Sequence, residues 1–325
     1  MTESSFGPWP MGSQDAIGQA GEFLVWAALI TQSGGSLHVF LPVVDRGIDG
    51  LIHRLHDRAY LAVQVKTKSV FNTGEAPIAV LESHLYTDDQ LVIGAHLDGD
   101  RLGDYALVCD AADFKRKAAR MLDRGRPMLV ADIPLRPDGR HKWSEDLTLT
   151  SELAMRLGAR PAERLVPPIP APPDVDRVIG GGGETEVVRR LSFLENCGLF
   201  RPFPDNEMAE VVVRMLPSGR TIGLQVKTAQ IDEPHVSRHV LINRSNFVPD
   251  HTTFVVALAW MLPEKRFHET CLLIPTETLP SIAGTSGPYY ELHFRPDGSS
   301  EPSRVDPYRI PLESLDREIA RRLGG

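Results

Sequence analysis

The chain states one pattern twice, and that repetition constrains its fold more than any other feature. Residues Gly47-Ile48-Asp49-Gly50-Leu51-Ile52-His53 lead, fifteen positions on from Asp49, into Gln64-Val65-Lys66-Thr67. Residues Met208-Ala209-Glu210-Val211-Val212-Val213-Arg214 lead, fifteen on from Glu210, into Gln225-Val226-Lys227-Thr228. Upstream, Gly21-Glu22-Phe23-Leu24-Val25-Trp26 aligns with Thr185-Glu186-Val187-Val188-Arg189-Arg190 at an offset of 164, which drops to 161 around the motif. Downstream, Leu91–Gly94 matches Phe254–Ala257, Asp104–Val108 matches Glu269–Leu273, and Arg136-Pro137-Asp138-Gly139 recurs as Arg295-Pro296-Asp297-Gly298. Met155-Arg156-Leu157-Gly158 answers Arg321-Arg322-Leu323-Gly324 at the two ends. A period near half the chain is too long for a solenoid and implies two fused domains of one fold.

Length agrees, since 325 residues is the span of two domains. The boundary falls where Pro167-Pro168-Ile169-Pro170-Ala171-Pro172-Pro173 runs on to Gly180–Gly183. Pro-rich chain is semi-extended and Gly-rich chain flexible, so we expect a first domain over 1–160, a linker over 161–183 and a second, more diverged domain over 184–325. The glycine run has no following Lys-Ser/Thr and no preceding strand, which argues against a phosphate loop.

Within the first half, apolar positions Ile17, Ala20, Phe23/Leu24, Ala27 and Ile30 keep a helical period over 14–33, with Ser13 as N-cap and Gly34 as C-cap. Phe23 and Trp26 read as core. Strands are expected near 37–43, 48–55, 60–68, 91–97 and 105–109, then helix over 111–122 and again at the end of the half. This mixture predicts an α/β fold with a mixed central sheet flanked by helices in each copy. Glu82, His84, Asp88 and Asp89 read as loop polar residues. Lys115-Arg116-Lys117 with Arg120 reads as a basic helical face, solvated or touching a phosphate backbone.

Alternation along a strand puts Gln64 and Lys66 on one face and Val63 and Val65 on the other, and it puts Asp49, Leu51 and His53 on one face of the preceding strand. Paired as a hairpin, the two strands bring Asp49 to the Gln64/Lys66 pair. Phosphodiester hydrolysis uses such a set. Oxygen ligands hold Mg²⁺, a metal-bound water attacks phosphorus, and a lysine stabilises developing negative charge. Glu22 on the helix adds a carboxylate. His53 and His56 fall on opposite strand faces, the other histidines are scattered, and no Ser/His/Asp set emerges.

These residues resemble the PD-(D/E)XK nuclease superfamily. The likeness is to Mrr-type restriction endonucleases and related bacterial domains with a Gly-Ile-Asp…Gln-x-Lys signature, over 14–115 and more weakly over 184–280. The resemblance implies two tandem restriction-endonuclease-like domains. It implies Asp49 and Gln64 as metal ligands, Lys66 as the catalytic lysine and Glu22 as the helix carboxylate. Glu210, Gln225, Lys227 and Glu186 are then the second set, with Glu210 and Gln225 as metal ligands. Gln replaces the commoner Glu before x-Lys in both copies. The second copy has Met-Ala-Glu for Gly-Ile-Asp and Asn206 where the first has Asp45. The function implied is a Mg²⁺-dependent DNA endonuclease, with Mn²⁺ as substitute, of bacterial restriction or phage defence. It would act as a pseudo-dimeric monomer or a homodimer, with a defence-system protein as potential partner. RNA or nucleotide cleavage is a variant of the same chemistry. The alternative is a non-catalytic nuclease-derived scaffold that binds nucleic acid or a protein.

Charge works against an extended DNA-binding surface, because the net charge is −8 and such surfaces need clustered Lys and Arg. No zinc finger or clear recognition helix is present. The longest apolar run, Phe254–Leu262, is too short to cross a bilayer. Residues Met1–Ser5 lack the basic start and apolar run of a signal peptide, and three cysteines without metal spacing fit a reducing setting, so a cytoplasmic location is expected.

Overall fold

The computed structural model describes residues 13–69, 74–98, 101–160, 174–203, 209–244, 247–298 and 302–324, with backbone only for 13–17 and 174–181. The Ser13 cap, linker residues 161–173, Asn206 and Met208 lie outside what is described. The chain is α/β and divides into two compact units, one built from residues up to 39 and from 45 to 160, the other from 174 onward with the segment 40–44.

The first unit opens with α1 (Ser13–Ser33) and the first half of β1 (Leu37–Pro42), then β2 (Gly50–Arg54), β3 (Ala59–Ser69), β4 (Glu75–Leu81), β5 (Leu91–Asp98) and β6 (Arg101–Asp110). It continues through α2 (Ala111–Lys117), β7 (Ala119–Asp123), β8 (Arg126–Pro134), β9 (Leu147–Leu149) and α3 (Leu153–Arg156). The second unit runs α4 (Asp174–Leu191), β10 (Cys197–Phe203), β11 (Val211–Met215), β12 (Thr221–Ile231), β13 (Arg238–Asn243) and β14 (Thr253–Met261). It ends with β15 (Arg266–Phe267), β16 (Thr270–Pro275), α5 (Leu279–Ile282), β17 (Gly284–Ser286), β18 (Tyr289–Phe294), β19 (Arg309–Pro311) and α6 (Leu315–Arg322).

Strand order shows why the sheet of each unit is mixed. In the first, β2, β3, β5, β6 and β9 are successive neighbours, with β3 and β5 parallel and the rest antiparallel. In the second, β11, β12, β14, β16 and β19 follow the same order, with β12 and β14 the parallel pair. Each unit adds a three-stranded sheet, β4-β8-β7 in one and β13-β18-β17 in the other. The parallel pair is reached only by a crossover, and the three-stranded sheet begins inside that crossover.

Packing follows from the strand period of two. On β3, Val63 and Val65 are fully buried, and Thr67, next on that face, touches α1 by donating to the Gly18 carbonyl at 3.1 Å. The other face of β3 carries Gln64, level with Val92 of β5, and Val92 packs with Ile78 and Val80 of the three-stranded sheet. In the second unit Leu224 and Val226 pack with Val187 and Leu191 of α4, while Gln225 lies level with Val255, which packs under Val240 and Ile242. Each motif glutamine therefore lies between the main sheet and the smaller one.

Three expectations are corrected. The helix expected over 111–122 stops at Lys117, because Arg124 (φ 50°) and Gly125 (φ 80°) turn the following chain into the β7–β8 hairpin. Gly180–Gly183, expected as linker, lie inside α4. A Cβ at Gly183 would stand 2.0 Å from Thr228 Oγ1, and one at Gly21 2.2 Å from Thr67 Oγ1, so in both units glycine lets the helix approach the motif strand. Trp26 is core, but Phe23 is exposed, because the helix turns that position away from β3.

Candidate metal centre

The site in the first unit is assembled by the β2–β3 hairpin. Gly50 pairs with Val63, and the Asp49 amide donates to the Val63 carbonyl at 3.0 Å, which lays the aspartate beside the Gln-x-Lys segment. Asp49 Oδ2 then accepts from Gln64 Nε2 at 2.6 Å, the Val65 amide at 2.8 Å and Lys66 Nζ at 3.1 Å. Three donors, one of them charged, hold the carboxylate in a single orientation. Its other oxygen, Oδ1, accepts nothing among the described residues.

Gln64 is 1% exposed, and its Oε1 has no partner among the described residues. A buried amide oxygen left unpaired costs about 1–3 kcal/mol, a cost that a water or a ligand at this position would relieve. Glu22 approaches from α1. Burial and the nearby Asp49 carboxylate, with a smaller contribution from Asp45, raise its pKa to about 7 against the opposing pull of Lys66. Asp45 is itself fixed by accepting from the Gly47 amide at 2.8 Å.

His84 belongs to this cluster, contrary to its reading as a loop polar residue. Its imidazole is pushed toward the neutral form, mainly by burial, and it feels Asp45, Lys66 and Asp49. Its loop is pinned by Gln90, which donates to the His84 carbonyl at 2.9 Å and accepts from the Tyr86 amide at 3.0 Å, while the Tyr86 hydroxyl donates to the Arg46 carbonyl. Gly47, at φ 83°, completes the fit, because a Cβ there would lie 2.3 Å from the His84 ring. The sequence signal for this neighbour was the glycine two residues before Asp49.

The second unit repeats the hairpin with a different outcome. Glu210 Oε2 accepts from the Val226 amide at 2.6 Å and Oε1 from Lys227 Nζ at 2.7 Å, so both oxygens are committed. Burial raises the Glu210 pKa, with Lys227 opposing. Gln225, 7% exposed, again has an Oε1 unpaired among the described residues. Glu186, expected as the helix carboxylate, is instead bound by Arg189 at 2.8 Å and Arg190 at 2.7 Å, which hold its pKa down. Glu184 is the helix carboxylate within electrostatic reach of Glu210, and it is ion-paired with Arg201.

The basic face expected at 115–120 is locally neutralised. Lys115 pairs with Asp88 at 3.1 Å, Arg116 with Asp113 at 2.6 Å, Lys117 with Asp146 at 2.5 Å, and Arg120, now on a strand, with Glu82 at 2.6 Å.

No protein-family model matches the chain, and no curated protein does. Among solved structures it is similar to a bacterial homing endonuclease, I-Ssp6803I, at 19% identity and a TM-score of 0.31, over 46% of this chain and 94% of that one. The functional reading rests on the site itself. No described helix is long and apolar enough to cross a membrane.

Proposed function

We propose that the protein is a metal-dependent nuclease of the PD-(D/E)XK type, with the first unit as its catalytic half and DNA as its substrate. The observation that carries this reading is the convergence of Asp49, Gln64 and Lys66, with an unpaired buried amide oxygen on Gln64. The donors are all oxygens, namely Asp49 Oδ1, Gln64 Oε1 and the Glu22 carboxylate, which is the set Mg²⁺ or Mn²⁺ accepts. A bound ion would supply Lewis-acid stabilisation and a more acidic water.

The remaining chemistry belongs to the chain. Lys66 Nζ, anchored on Asp49, presents positive charge where a phosphodiester gains negative charge during attack. Glu22, poised near neutrality, holds a proton while the cation is absent and gives it up when a positive charge arrives. His84, biased toward its neutral form, offers a ring nitrogen as acceptor. In the second unit both Glu210 oxygens and Glu184 already have cationic or amide partners. We assign that unit the positioning of substrate. Restriction or phage defence follows from the resemblance of the motif.

The test is cleavage of supercoiled plasmid, linear duplex, single-stranded DNA and RNA, with Mg²⁺, Mn²⁺ or chelator. Metal-dependent cleavage of DNA that disappears in Asp49→Ala supports the reading. Absence of both cleavage and metal binding on every substrate would replace it with the docking scaffold.

A further inference from the structure

The smaller sheet of the second unit carries a cluster of a different kind. On β13 and β18 the apolar residues Val240, Ile242, Leu292 and Phe294 turn inward to the core. Alternation therefore sends His239, Glu291 and His293 to the outer face. His239 and His293 sit directly opposite each other across the antiparallel ladder, and Glu291 is two residues along on the same face as His293. Fifty-four positions separate the two histidines in sequence, which is why no spacing rule finds them.

We propose that His239, Glu291 and His293 form a binding site for a divalent transition-metal ion of the Zn²⁺ class. Glu291 Oε1 lies 3.3 Å from His293 Nε2 and 3.6 Å from His239 Nδ1. Ligand atoms around a tetrahedral Zn²⁺ with bonds near 2.0–2.1 Å are about 3.3 Å apart, so both separations are close to tetrahedral edges. All three residues offer ligand atoms within 4.8 Å of one another. The imidazole rings, with centroids 5.3 Å apart and planes at 51°, are splayed rather than stacked.

Donor type sets the ion. Two imidazole nitrogens and one carboxylate suit Zn²⁺, Cu²⁺, Co²⁺ or Ni²⁺ and are a poor set for Mg²⁺, which takes oxygens. The site thus differs in chemistry from the oxygen cluster around Asp49. His239 is 47% and His293 56% exposed as side chains, so an ion enters without opening the fold. Three protein ligands leave a fourth position for water or an outside ligand. The ion would also cross-link two strands that are far apart in sequence, and binding only the folded form stabilises it.

The test uses the full chain, stripped with chelator and dialysed. Zn²⁺ is titrated by calorimetry in excess Mg²⁺, and Co²⁺ is followed by its visible absorption. We expect one high-affinity Zn²⁺ per chain and intense tetrahedral Co²⁺ bands. His239→Ala, His293→Ala and Glu291→Gln should each weaken binding by about tenfold or more, and the double histidine variant should abolish it. Asp49→Ala should leave it intact. Because both histidines are exposed, circular dichroism of the metal-free variants should match wild type. Zn²⁺ binding that survives in the double variant, or is lost in Asp49→Ala instead, overturns the proposal. So does a wild-type chain that takes up no Zn²⁺ at micromolar concentration, which would leave the cluster as cross-strand His–Glu ion pairs.

Discussion

Glu22→Gln is the sharpest test of the cluster, because it replaces a carboxyl that sits near neutrality. Burial beside Asp49 lifts Glu22 from 4.5 to about 7. At about 1.4 kcal/mol per pKa unit this corresponds to roughly 3 kcal/mol, and partial exposure of the side chain reduces it to about 2–3 kcal/mol. The folded-state value is raised above the unfolded one, so the folded state binds the proton more tightly. That added stability is complete below the unfolded pKa of 4.5 and is lost as pH rises through about 7. A neutral amide in place of the carboxyl would mimic the protonated form and lose nothing. Without metal, the variant should match wild type near pH 4.5 and exceed it by about 2–3 kcal/mol near pH 8. Saturating Mg²⁺ should reverse the order, because only the carboxylate gains from the cation. Urea unfolding in chelator gives the difference, and hydrogen exchange of the β3 amides reports the first unit separately. A difference that is independent of pH, or a variant less stable than wild type near pH 8 in chelator, would show that Glu22 is not held near neutrality by its burial beside Asp49.

Three further outcomes follow from the geometry. Lys66→Ala should lower cleavage by about 10²–10³-fold while Mg²⁺ affinity by calorimetry stays near wild type, whereas Asp49→Ala should lose both. Lys227→Ala should cost far less activity than Lys66→Ala, with nicked plasmid predominating over linear product on gels, since Glu210 has no uncommitted oxygen; equal losses with clean double-strand cutting would show two working centres. Gly183→Ala should lower the melting temperature by several degrees, an effect of about 1–3 kcal/mol, because the new methyl meets Thr228 Oγ1 at 2.0 Å; adding Thr228→Ser should leave the loss in place, and adding Thr228→Ala should recover most of it.

What could be read from sequence was whatever depends on short-range geometry. A fifteen-residue interval between an acid and Gln-x-Lys is a hairpin with a fixed side-chain period, and Asp49, Gln64 and Lys66 meet as that period requires. α1, β2, β3 and β5 were legible for the same reason, each being a long periodic segment bounded by turn residues. His84 was not, because it enters from the end of another sheet and carries no periodic signal. The strand at 119–123 was hidden by a helix-like run of Lys, Arg, Ala and Met. What decides it is the left-handed Arg124-Gly125 turn, which only pairing with β8 makes favourable. His239 and His293 meet through sheet register alone.

The misplaced helix carboxylate in the second unit shows most clearly what side-chain similarity leaves out. Matching apolar residues along the two helices pairs Glu22 with Glu186. The helices are registered instead by where backbone must approach the motif strand, at Gly21 over Thr67 and at Gly183 over Thr228. That contact pairs the dipeptide Gly21-Glu22 with Gly183-Glu184 and moves Glu186 two residues on, a large rotation around the helix, to where Arg189 and Arg190 hold it. The glycine sets the register because a missing Cβ cannot be replaced, whereas one aliphatic side chain can substitute for another at modest cost. The corrected pairing also sharpens the contrast between the units. Glu22 is driven toward protonation by burial and by the neighbouring Asp49 carboxylate, a state that a cation relieves. Glu184 already has the Arg201 guanidinium, and both Glu210 oxygens have donors, whereas Asp49 pairs with Lys66 through Oδ2 alone and keeps Oδ1 open among the described residues. An added cation would have to displace those partners, so metal affinity should favour the first unit even though both keep the same Gln-x-Lys strand.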